Sequence, residues 1–568
     1  MGEQVVQALA AGVDVVWWTD HDWRMSGHLY RQAFHFDALK ELEIGYPWVL
    51  RPSTIGSPTA HSGGIVSSPS SPLDPHPAGA LRLSATAASA ATTWSSYGYT
   101  ADDSGARYNG HGSLTGVTVR IEVRPESIGP DAYLELRVTT GVRPATGRRP
   151  RGNYVLSYRI GGPGRPGSRT RSGLTGVITL PAPVGSWTSL TLRPAVDVAA
   201  LWPDIDTEDL SHQTVAFRAS SRHGATAVGT WDYLRYDRAS VSGDAALLQQ
   251  QRVITRLATS YPALTQHHGV EISLYGGHQN WFGPTLHLPD YSGLPLLPGN
   301  DDVASARLVQ QAHEVGGLVS LNHPFGTGEG PLLPDAQQEA RRQALASALI
   351  SNRALGCDLI EVAFPSRNGV SLARHVAVWD ALSRNAIVLT GTDVNDNHGG
   401  GDWLTAPLRF LTMAWAPDRT MPTLLTALAA GRIYVADPVG FGGTLDLVID
   451  TGATMGAVAV VTKQLTTLTV IATGLPGGST VSVVQGVVDR AGPSQPDPIT
   501  SVTQVHASAF VGGTFSLTLS TSSPSFVRVS VADATGAVVG LSNPIWMLRS
   551  LPAGIPAARL GIPAARLA

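Results

Sequence analysis

Cysteine is almost absent from this chain, because Cys357 is the only one among 568 residues. A single thiol excludes an intramolecular disulfide and a cysteine-rich zinc site. Any bound metal ion must therefore be held by histidine, aspartate and glutamate. Long apolar runs are absent too, since none reaches the ~18 residues of a membrane span. The first residues also lack the charged start and apolar core of a signal peptide.

An excess of charge of either sign is also missing. The chain has 43 acidic and 40 basic residues, and Lys40 and Lys463 are the only lysines among the basic ones. A balance this close to zero predicts neither a nucleic-acid partner nor a general electrostatic attachment to membranes. At ~100–200 residues for each domain, the length predicts three or four domains.

Two separated stretches alternate between helical and strand patterns. Near the start, a helical pattern over residues 3–11 precedes the apolar run Val13–Trp18, which has the length of a buried strand. Within residues 241–440, strand patterns such as Leu318–Leu321 alternate with helical ones. This alternation predicts βα units around a parallel sheet. Residues 1–50 and 241–440 are therefore predicted to be two parts of one β/α barrel.

The remaining stretches have other compositions. Residues 51–80 are rich in Ser, Pro and Gly, which predicts a linker. Residues 81–240 and 441–550 contain short alternating runs typical of antiparallel β-sandwiches, the first of jelly-roll type. Residues 551–568 are predicted to be a flexible tail. The predicted fold class is thus α/β plus all-β: a barrel interrupted by an inserted sandwich and followed by a second sandwich.

Histidine and acidic residues recur where the predicted α/β strands end. They are His21, Glu271, His323, Asp396 and His398. The C-terminal ends of the strands of a β/α barrel meet at one mouth. Imidazole and carboxylate ligands suit divalent zinc, manganese or iron. The positions predict a metal site, although each residue alone could be an ordinary loop, turn or capping residue.

Glu271 is the strongest single indication of a bound or neighbouring cation. It lies inside an apolar run, Val270 and Ile272 being its neighbours. Burying an unpaired carboxylate there would be costly. We therefore expect a cationic partner for this side chain.

The motifs around these residues resemble those of the PHP family, the polymerase and histidinol phosphatase metal hydrolases. They are Thr19-Asp20-His21, Gly269-Val270-Glu271, Asn322-His323-Pro324, Glu361 in an Asp-x-Ile-Glu strand, and Asp396-Asn397-His398. The resemblance covers roughly residues 1–50 and 245–435. The layout of barrel, inserted sandwich and β tail is similar to the branch that includes carbaryl hydrolase-like enzymes.

The resemblance implies a distorted seven-stranded β/α barrel with two or three divalent metal ions. One metal would be shared by His21, Asp396 and His398. Glu271 would bridge two metals, and His323 and His278 would complete the second. His287 or His268 could replace His278.

The sequence departs from the family at its start. The family opens with a strand that carries a His-x-His pair, and no such strand precedes Val13 here. We therefore expect a truncated start, one incomplete metal site and impaired activity.

The function that the resemblance implies is metal-dependent hydrolysis of a phosphoester or a related small-molecule ester by a metal-activated hydroxide. Arg24 and Arg367 could contact an anionic substrate group, although a surface position is the simpler expectation for either.

The alternative function is carbohydrate or surface binding by a protein with a degenerate, catalytically weak barrel. Aromatic residues of the inserted sandwich could stack on sugars, although most of them are better explained as core: Trp94, Tyr97, Tyr99 and Trp187. Appended sandwiches favour an exported or cell-surface protein.

Overall fold

The structure is a computed structural model that describes most of the chain. It leaves out residues 23–30, 36–49, 56–57, 67–78, 88, 90–94, 102–112, 148, 238–242, 274–276, 295–301, 329, 395, 398–402, 405–408, 553–558 and 561–568. For residues 31–35, 50–55, 58–59, 95–101, 212–213 and 233–237 it describes the backbone alone.

The chain divides into two compact units. The first contains residues 1–6 and 23–261, and the second contains residues 7–22 and 262–568. The second unit is therefore assembled from two pieces of sequence, with most of the first unit between them in the chain. No helix of the described residues is both long and apolar enough to cross a membrane.

Most of the first unit is β structure. The chain opens with helix α1 (Gly2–Ala10) and strand β1 (Val15–Trp18). The next strands are β2 (Arg31–His35), β3 (Leu50–Ile55), β4 (Pro58–Val66), β5 (Ala80–Ala87), β6 (Ser95–Ala101), β7 (Thr118–Ile128), β8 (Ala132–Arg143), β9 (Gly152–Gly161), β10 (Arg169–Ser172), β11 (Thr175–Thr179), β12 (Thr188–Leu192), β13 (His212–Ser221) and β14 (Thr226–Asp237). The helices are α2 (Pro194–Leu201) and α3 (Asp244–Ser260).

Strands β2 to β14 form a β-sandwich, as the alternating sequence pattern predicts, whereas β1 belongs to the second unit. One sheet has the order β10-β11-β9-β8-β13-β6-β3, and the other has the order β12-β7-β14-β5-β4 with β2 paired to β14. Alternate side chains face inward because successive residues of a strand point to opposite faces. Leu81 and Leu83 of one sheet thus share a core with Leu134 and Leu136 of the other.

The predicted linker is wrong over two segments. Residues 50–55 and 58–66 are strands β3 and β4, and each is the last strand of its sheet. An edge strand leaves one row of backbone groups unpaired, so it tolerates the proline and polar residues that suggested a linker. Strand β2, expected to be part of the barrel, also belongs to this sandwich.

The second unit begins with an α/β part. Its strands after β1 are β15 (Thr265–Ile272), β16 (Gln279–Phe282), β17 (Leu318–Leu321), β18 (Leu359–Glu361), the hairpin β19 (Ser366–Arg367) and β20 (Val370–Ser371), and β21 (Thr390–Thr392). The helices are α4 (Asp302–Glu314), α5 (Asp335–Ser351), α6 (Leu372–Arg384) and α7 (Met421–Ala430), with a 3₁₀ turn at Arg353–Gly356.

The α/β sheet has the strand order β1-β15-β16-β17-β18-β21. Strands β1, β15, β17, β18 and β21 all run in one direction, and β16 runs against both of its neighbours. The expected all-parallel sheet is therefore mixed. Within the described residues the sheet has six strands and no pairing joins β1 to β21, so the seven-stranded barrel stays a prediction.

A second β-sandwich follows, as predicted. Its strands are β22 (Leu411–Ala414), β23 (Ile433–Ala436), β24 (Leu445–Ile449), β25 (Val458–Val460), β26 (Leu465–Ala472), β27 (Thr480–Val487), β28 (Thr500–His506), β29 (Thr514–Ser520), β30 (Ser525–Ala532), β31 (Val538–Ser542) and β32 (Ile545–Leu548). The sheet β24-β26-β29 packs on an eight-stranded sheet that includes β22 and β23. The sandwich therefore recruits strands that precede its predicted start at residue 441.

Asn543 joins the α/β sheet to this second sandwich. Its side chain is fully buried, and its Oδ1 accepts the Gly391 N–H at 2.7 Å. Its Nδ2 donates to the carbonyl oxygens of Gly391 at 3.0 Å and Ile433 at 2.9 Å. One side chain thus satisfies backbone groups of both β21 and β23, and fixes the edge of the α/β sheet.

We expect Asn543→Ala to lower the free energy of unfolding of the second unit by about 3 kcal/mol, because it leaves several buried backbone groups without partners. Urea unfolding followed by tryptophan fluorescence measures the change. Gln504→Ala, at an exposed position of β28, is the control and should change the stability by less than ~0.5 kcal/mol. Equal stability of the two variants would contradict the role of Asn543.

Candidate functional site

The candidate site lies at the edge of the α/β sheet where the parallel strands end. His21 follows β1 and forms a parallel bridge with Glu271, near the end of β15. His323 follows β17, and Glu361 is the last residue of β18. The ends of neighbouring parallel strands lie side by side, so these side chains come together although they are far apart in sequence.

The reversed strand β16 brings His278 to the same edge. Gln279 is its first residue and pairs with Ile272, whereas Phe282 at its other end pairs with Gly269. The residue that enters β16 is therefore placed where the neighbouring strand β15 ends. His278 therefore reaches the site from the start of an antiparallel strand, whereas His21 and His323 reach it from the ends of parallel strands.

Three imidazoles converge on the Glu271 carboxylate. Its Oε2 lies 3.0 Å from His21 Nδ1, and its Oε1 lies 2.8 Å from His278 Nδ1. The same Oε1 lies 3.5 Å from His323 Nε2. Oε2 of Glu271 thus faces His21, and Oε1 faces both His278 and His323.

His21, Glu271 and His278 have the donor chemistry and spacing of a metal site. One ligand atom from each of them lies within 4.8 Å of the others. Imidazole nitrogen and carboxylate oxygen are the usual protein ligands of zinc and similar divalent ions when cysteine is absent. These three residues could therefore hold one ion with few side-chain adjustments.

His323 is the centre of a second group of ligand-type residues. Its Nδ1 lies 2.8 Å from Glu361 Oε2, and its Nε2 lies 3.6 Å from Asp396 Oδ2. His323 and Asp396 have backbone φ angles of 45° and 48°, which residues other than glycine seldom adopt. Such backbone strain tends to collect at functional sites.

The structure differs from the resemblance over Asp396. The resemblance assigns this residue to the metal of His21, but its carboxylate lies beside His323. His398, the other residue of the motif, lies outside the described residues, as does Arg24. The described ligands therefore divide into a group around His21 and a group around His323, with Glu271 common to both.

Electrostatics within the site are dominated by burial and by the close opposite charges. Burial alone would raise the pKa of the Glu271 carboxyl, but His21, His278 and His323 hold that pKa well below its usual value. Burial would lower the pKa of His323, yet Glu361, Glu271 and Asp396 together raise it to about 10. The protein thus keeps Glu271 ionised and His323 protonated near neutral pH.

Asp393 is a buried carboxyl that the sequence motifs did not identify. It follows β21 directly, and the pKa of its carboxyl is raised well above the usual value by burial and by the nearby Glu361. Asp393 Oδ1 and Glu361 Oε1 have no hydrogen-bond partner among the described residues. The rule that located His21 and His323, a polar residue directly after a strand, would also have located Asp393.

Arg367 belongs to this site and is not a surface residue. Its side chain is 2% exposed and makes an ion pair with Asp396 Oδ2. Its guanidinium carbon lies 4.3 Å from the centroid of the Phe364 ring, and its Nε donates to the Gly326 carbonyl oxygen at 3.3 Å. The simpler expectation of an exposed arginine is therefore wrong, and a fixed positive charge borders the His323 group.

Two further residues outside the predicted set hold His21 in place. Ser273 Oγ lies 2.7 Å from His21 Nδ1, and the Ser273 N–H donates to Asp22 Oδ1 at 2.9 Å. Asp22 is fully buried and also accepts a hydrogen bond from the Tyr291 hydroxyl. His21 is thus oriented by a chain of hydrogen bonds that begins at the neighbouring residue.

The alternative ligands His268 and His287 are placed elsewhere. His287 Nδ1 lies 2.9 Å from the Leu288 carbonyl oxygen, and its ring packs against Trp281 with 4.7 Å between centroids. Burial lowers the pKa of His268 to about 4. Among the described residues, the group of ligand atoms around Glu271 that lie within 4.8 Å of one another includes His278 and neither His268 nor His287.

Comparisons with known proteins give no family. No protein-family model matches the chain, and no curated protein matches it. A family 11 carbohydrate-binding module from Clostridium thermocellum, in complex with a β-1,3-1,4-mixed-linked tetrasaccharide, shares 9% identity at a TM-score of 0.22, over 37% of this chain and 96% of the module.

Two other solved structures are similar at the same low level. The CBM22-1 xylan-binding domain of Xyn10C from Paenibacillus barcinonensis shares 9% identity at a TM-score of 0.17, over 34% of this chain and 84% of the domain. The glycoside hydrolase domain of Endo-D from Streptococcus pneumoniae R6 shares 6% identity at a TM-score of 0.18, over 88% of this chain and 38% of that chain. Scores of this size do not indicate a common overall fold.

The raised pKa of His323 predicts how stability depends on pH in chelator-treated protein. The pKa of this histidine is ~6.5 in the unfolded chain and about 10 in the folded protein. Its full contribution to the free energy of unfolding is therefore present at pH values below the unfolded-state pKa. That contribution is lost as the pH rises to the higher value. We expect the free energy of unfolding to decline over this window, and His323→Gln to flatten the decline.

Urea unfolding at a series of pH values measures this dependence. His268→Gln is the control, because the His268 imidazole, with its pKa at about 4, is neutral throughout the window and should leave the slope unchanged. Identical slopes for the wild-type protein and His323→Gln would contradict the assignment.

Proposed function

We propose that the second unit binds a divalent metal ion at Glu271 and that the protein is a metal-dependent hydrolase of ester bonds. The observation that carries this proposal is the convergence of three imidazoles on one buried carboxylate. A buried charge needs compensation, and this donor set is one that divalent metals use. The resemblance to the PHP hydrolases supports the same class of enzyme.

His21, Glu271 and His278 would hold the first ion. His323 and Asp396, on the Oε1 side of Glu271, would contribute to a second. Bound there, a divalent ion supplies a water of lowered pKa and polarises the ester oxygen. The absence of cysteine from this set leaves zinc, manganese and iron as the candidates.

The surrounding residues suit an anionic substrate. Arg367 has its guanidinium against the Phe364 ring and paired with Asp396, and a planar guanidinium released from that pair would bind phosphate or carboxylate oxygens. Burial and the nearby Glu361 raise the pKa of the Asp393 carboxyl well above its usual value, and a protonated carboxyl can donate a hydrogen bond as well as accept one. These two side chains favour a phosphoester as the first substrate class to test.

We expect the purified wild-type protein to contain zinc, manganese or iron and to hydrolyse p-nitrophenyl phosphate. Removal of the metal with a chelator should abolish turnover, and adding the same metal back should restore it. Glu271→Gln removes the charge shared by both ligand groups and should lower both the metal content and turnover by at least ~100-fold, since even supporting residues around a metal contribute ~10–100-fold. Mass spectrometry of the metals and absorbance of p-nitrophenol give the two readouts.

Glu314→Gln is the matched control for this experiment. Glu314 is an exposed glutamate at the end of α4 in the same unit, and its substitution should change neither readout. A wild-type protein that binds none of the three metals and shows no turnover would overturn the proposal.

Carbohydrate binding by the first unit is the second candidate function. The observation in its favour is the two-sheet sandwich, an architecture that recurs in lectins. The names of the similar solved structures agree with this candidate, whereas the side-chain geometry of the second unit agrees with the metal site. Trp187 is half-buried with no hydrogen-bond partner for its indole N–H among the described residues.

If the second candidate holds, the full chain should migrate more slowly in electrophoresis through gels that contain mixed-linkage glucan or xylan than through gels without polysaccharide. Trp187→Ala should weaken the retardation, because it removes a half-buried aromatic ring that could stack on a sugar face. Trp415→Ala, which removes a tryptophan of the second unit that is 39% exposed, should not. Unretarded migration of the wild-type protein with both polysaccharides would remove this candidate.

A further inference from the structure

One face of the first sandwich has charged residues at its centre. Strands β8, β9 and β13 are neighbours in one sheet. Their alternate residues point away from the core, because residues such as Leu134 and Leu136 point into it. We call the outward-pointing side chains of residues 133–139, 155–159 and 214–220 the outer face. Its charged residues are Glu135, Arg137, Arg159 and Arg218.

Glu135 lies at the centre of the outer face. It is directly opposite Arg159 on β9 and Arg218 on β13. Its side chain is 2% exposed, with Oε1 at 3.9 Å from Arg159 Nε and Oε2 at 3.9 Å from Arg218 Nη1. The Ser157 hydroxyl donates to Oε1 and accepts the Arg159 Nε–H at 2.8 Å. One buried carboxylate thus holds two guanidinium groups beside each other.

Tyr133 fixes Arg159 from a second side. The guanidinium carbon of Arg159 lies 4.1 Å from the centroid of the Tyr133 ring, which is a cation–π contact. Among the described residues, Arg159 uses only its Nε–H in a hydrogen bond. A guanidinium has five N–H donors. The other donors of Arg159 are therefore held in a fixed orientation and are available to a ligand.

Positive charge is in excess on the outer face. Its three arginines and one glutamate leave two positive charges, although the whole chain has 43 acidic and 40 basic residues. The side chains of Arg159 and Arg218 are only 19% and 17% exposed. Arg218 Nε is buried without a hydrogen-bond partner among the described residues. Cations at this depth need a compensating anion, so the face suits a negatively charged ligand.

The residues between the arginines narrow the class of ligand. Proteins that bind nucleic acid neutralise several phosphates, whereas this face has three arginines and a carboxylate among them that repels a densely charged polymer. Hydroxyl side chains both donate and accept hydrogen bonds, as the hydroxyl groups of sugars do. Those of the outer face, besides Tyr133, are Thr139, Ser157, Thr214 and Ser220.

We propose that the outer face binds a polysaccharide that carries carboxylate groups, a polymer of uronic acids, through Arg159 and Arg218. This inference deepens the second candidate function and rests on it. A planar guanidinium pairs with both oxygens of a carboxylate. Because β8 lies between β9 and β13, the two arginines start from backbones about 10 Å apart. A chain with repeated carboxylates contacts both, and each contact raises the effective concentration for the other.

Calorimetric titration of the full chain with oligogalacturonate tests this proposal. The methyl ester of the same oligosaccharide is the matched ligand control, because it has the same sugar chain without the negative charges. We expect binding of the first and none of the second. Arg218→Gln should weaken binding about tenfold, which is the effect of one charge-assisted hydrogen bond. Arg252→Gln, on helix α3 and 55% exposed, removes the same charge outside the outer face and should leave the affinity unchanged.

Glu135→Gln tests the charge of the face in the opposite direction. The substitution removes the one negative charge and should tighten binding about threefold, the size of an interaction between partly exposed charges. Loss of the fold would weaken binding, so tighter binding cannot arise from it. Circular dichroism of each variant shows whether the sandwich is folded.

Several results would overturn the proposal. Equal affinity for the charged and the esterified oligosaccharide would do so, as would equal affinity of the wild-type protein and a folded Arg218→Gln. Tighter binding of duplex DNA would show a surface for polyanions in general. Binding of glucan or xylan without binding of oligogalacturonate overturns this inference alone, whereas binding of none removes the second candidate function too. Glu271→Gln should bind oligogalacturonate as the wild-type protein does, so failure of the proposed hydrolase is distinguished.

Discussion

The buried carboxylate of Glu271 is the constraint on which the α/β part depends. An ionised group at the end of a central strand would destabilise the fold if nothing compensated it. His21, His278 and His323 provide that compensation, each from a different segment of the second unit. The ends of β1, β15, β16 and β17 must therefore stay aligned, because any shift would separate the charge from its partners.

Strand β16 runs antiparallel to its neighbours, and this direction places the third imidazole beside Glu271. A parallel strand in its place would bring its C-terminal end, not its N-terminal end, to the edge that carries Glu271. Running backwards, β16 presents His278 there and still pairs with both neighbours. The short segment between β15 and β16 can then close as a hairpin connection, without the long crossover that a parallel pair requires.

Sequence patterns predicted what depends on local periodicity and failed where tertiary position decides. His21, Glu271 and His323 were singled out because they lie at or near the ends of predicted strands, and such ends meet at one edge of the sheet. Strands β3 and β4 were missed because edge strands accept linker-like composition. The direction of β16 and the burial of Arg367 depend on partners distant in sequence, which no local pattern contains.

The charges around His323 support the proposal of a divalent ion at this site. Glu271, Glu361, Asp393 and Asp396 place four carboxyl groups around one buried imidazole and one arginine. Burial and Glu361 raise the pKa of Asp393, and Glu361, Glu271 and Asp396 raise that of His323, so protonation of these groups offsets part of this negative charge. A divalent cation carries the same charge as two protons, so its binding could replace them without leaving the buried carboxylates uncompensated. A bound divalent ion would thus compensate acidic groups whose burial would otherwise destabilise the fold.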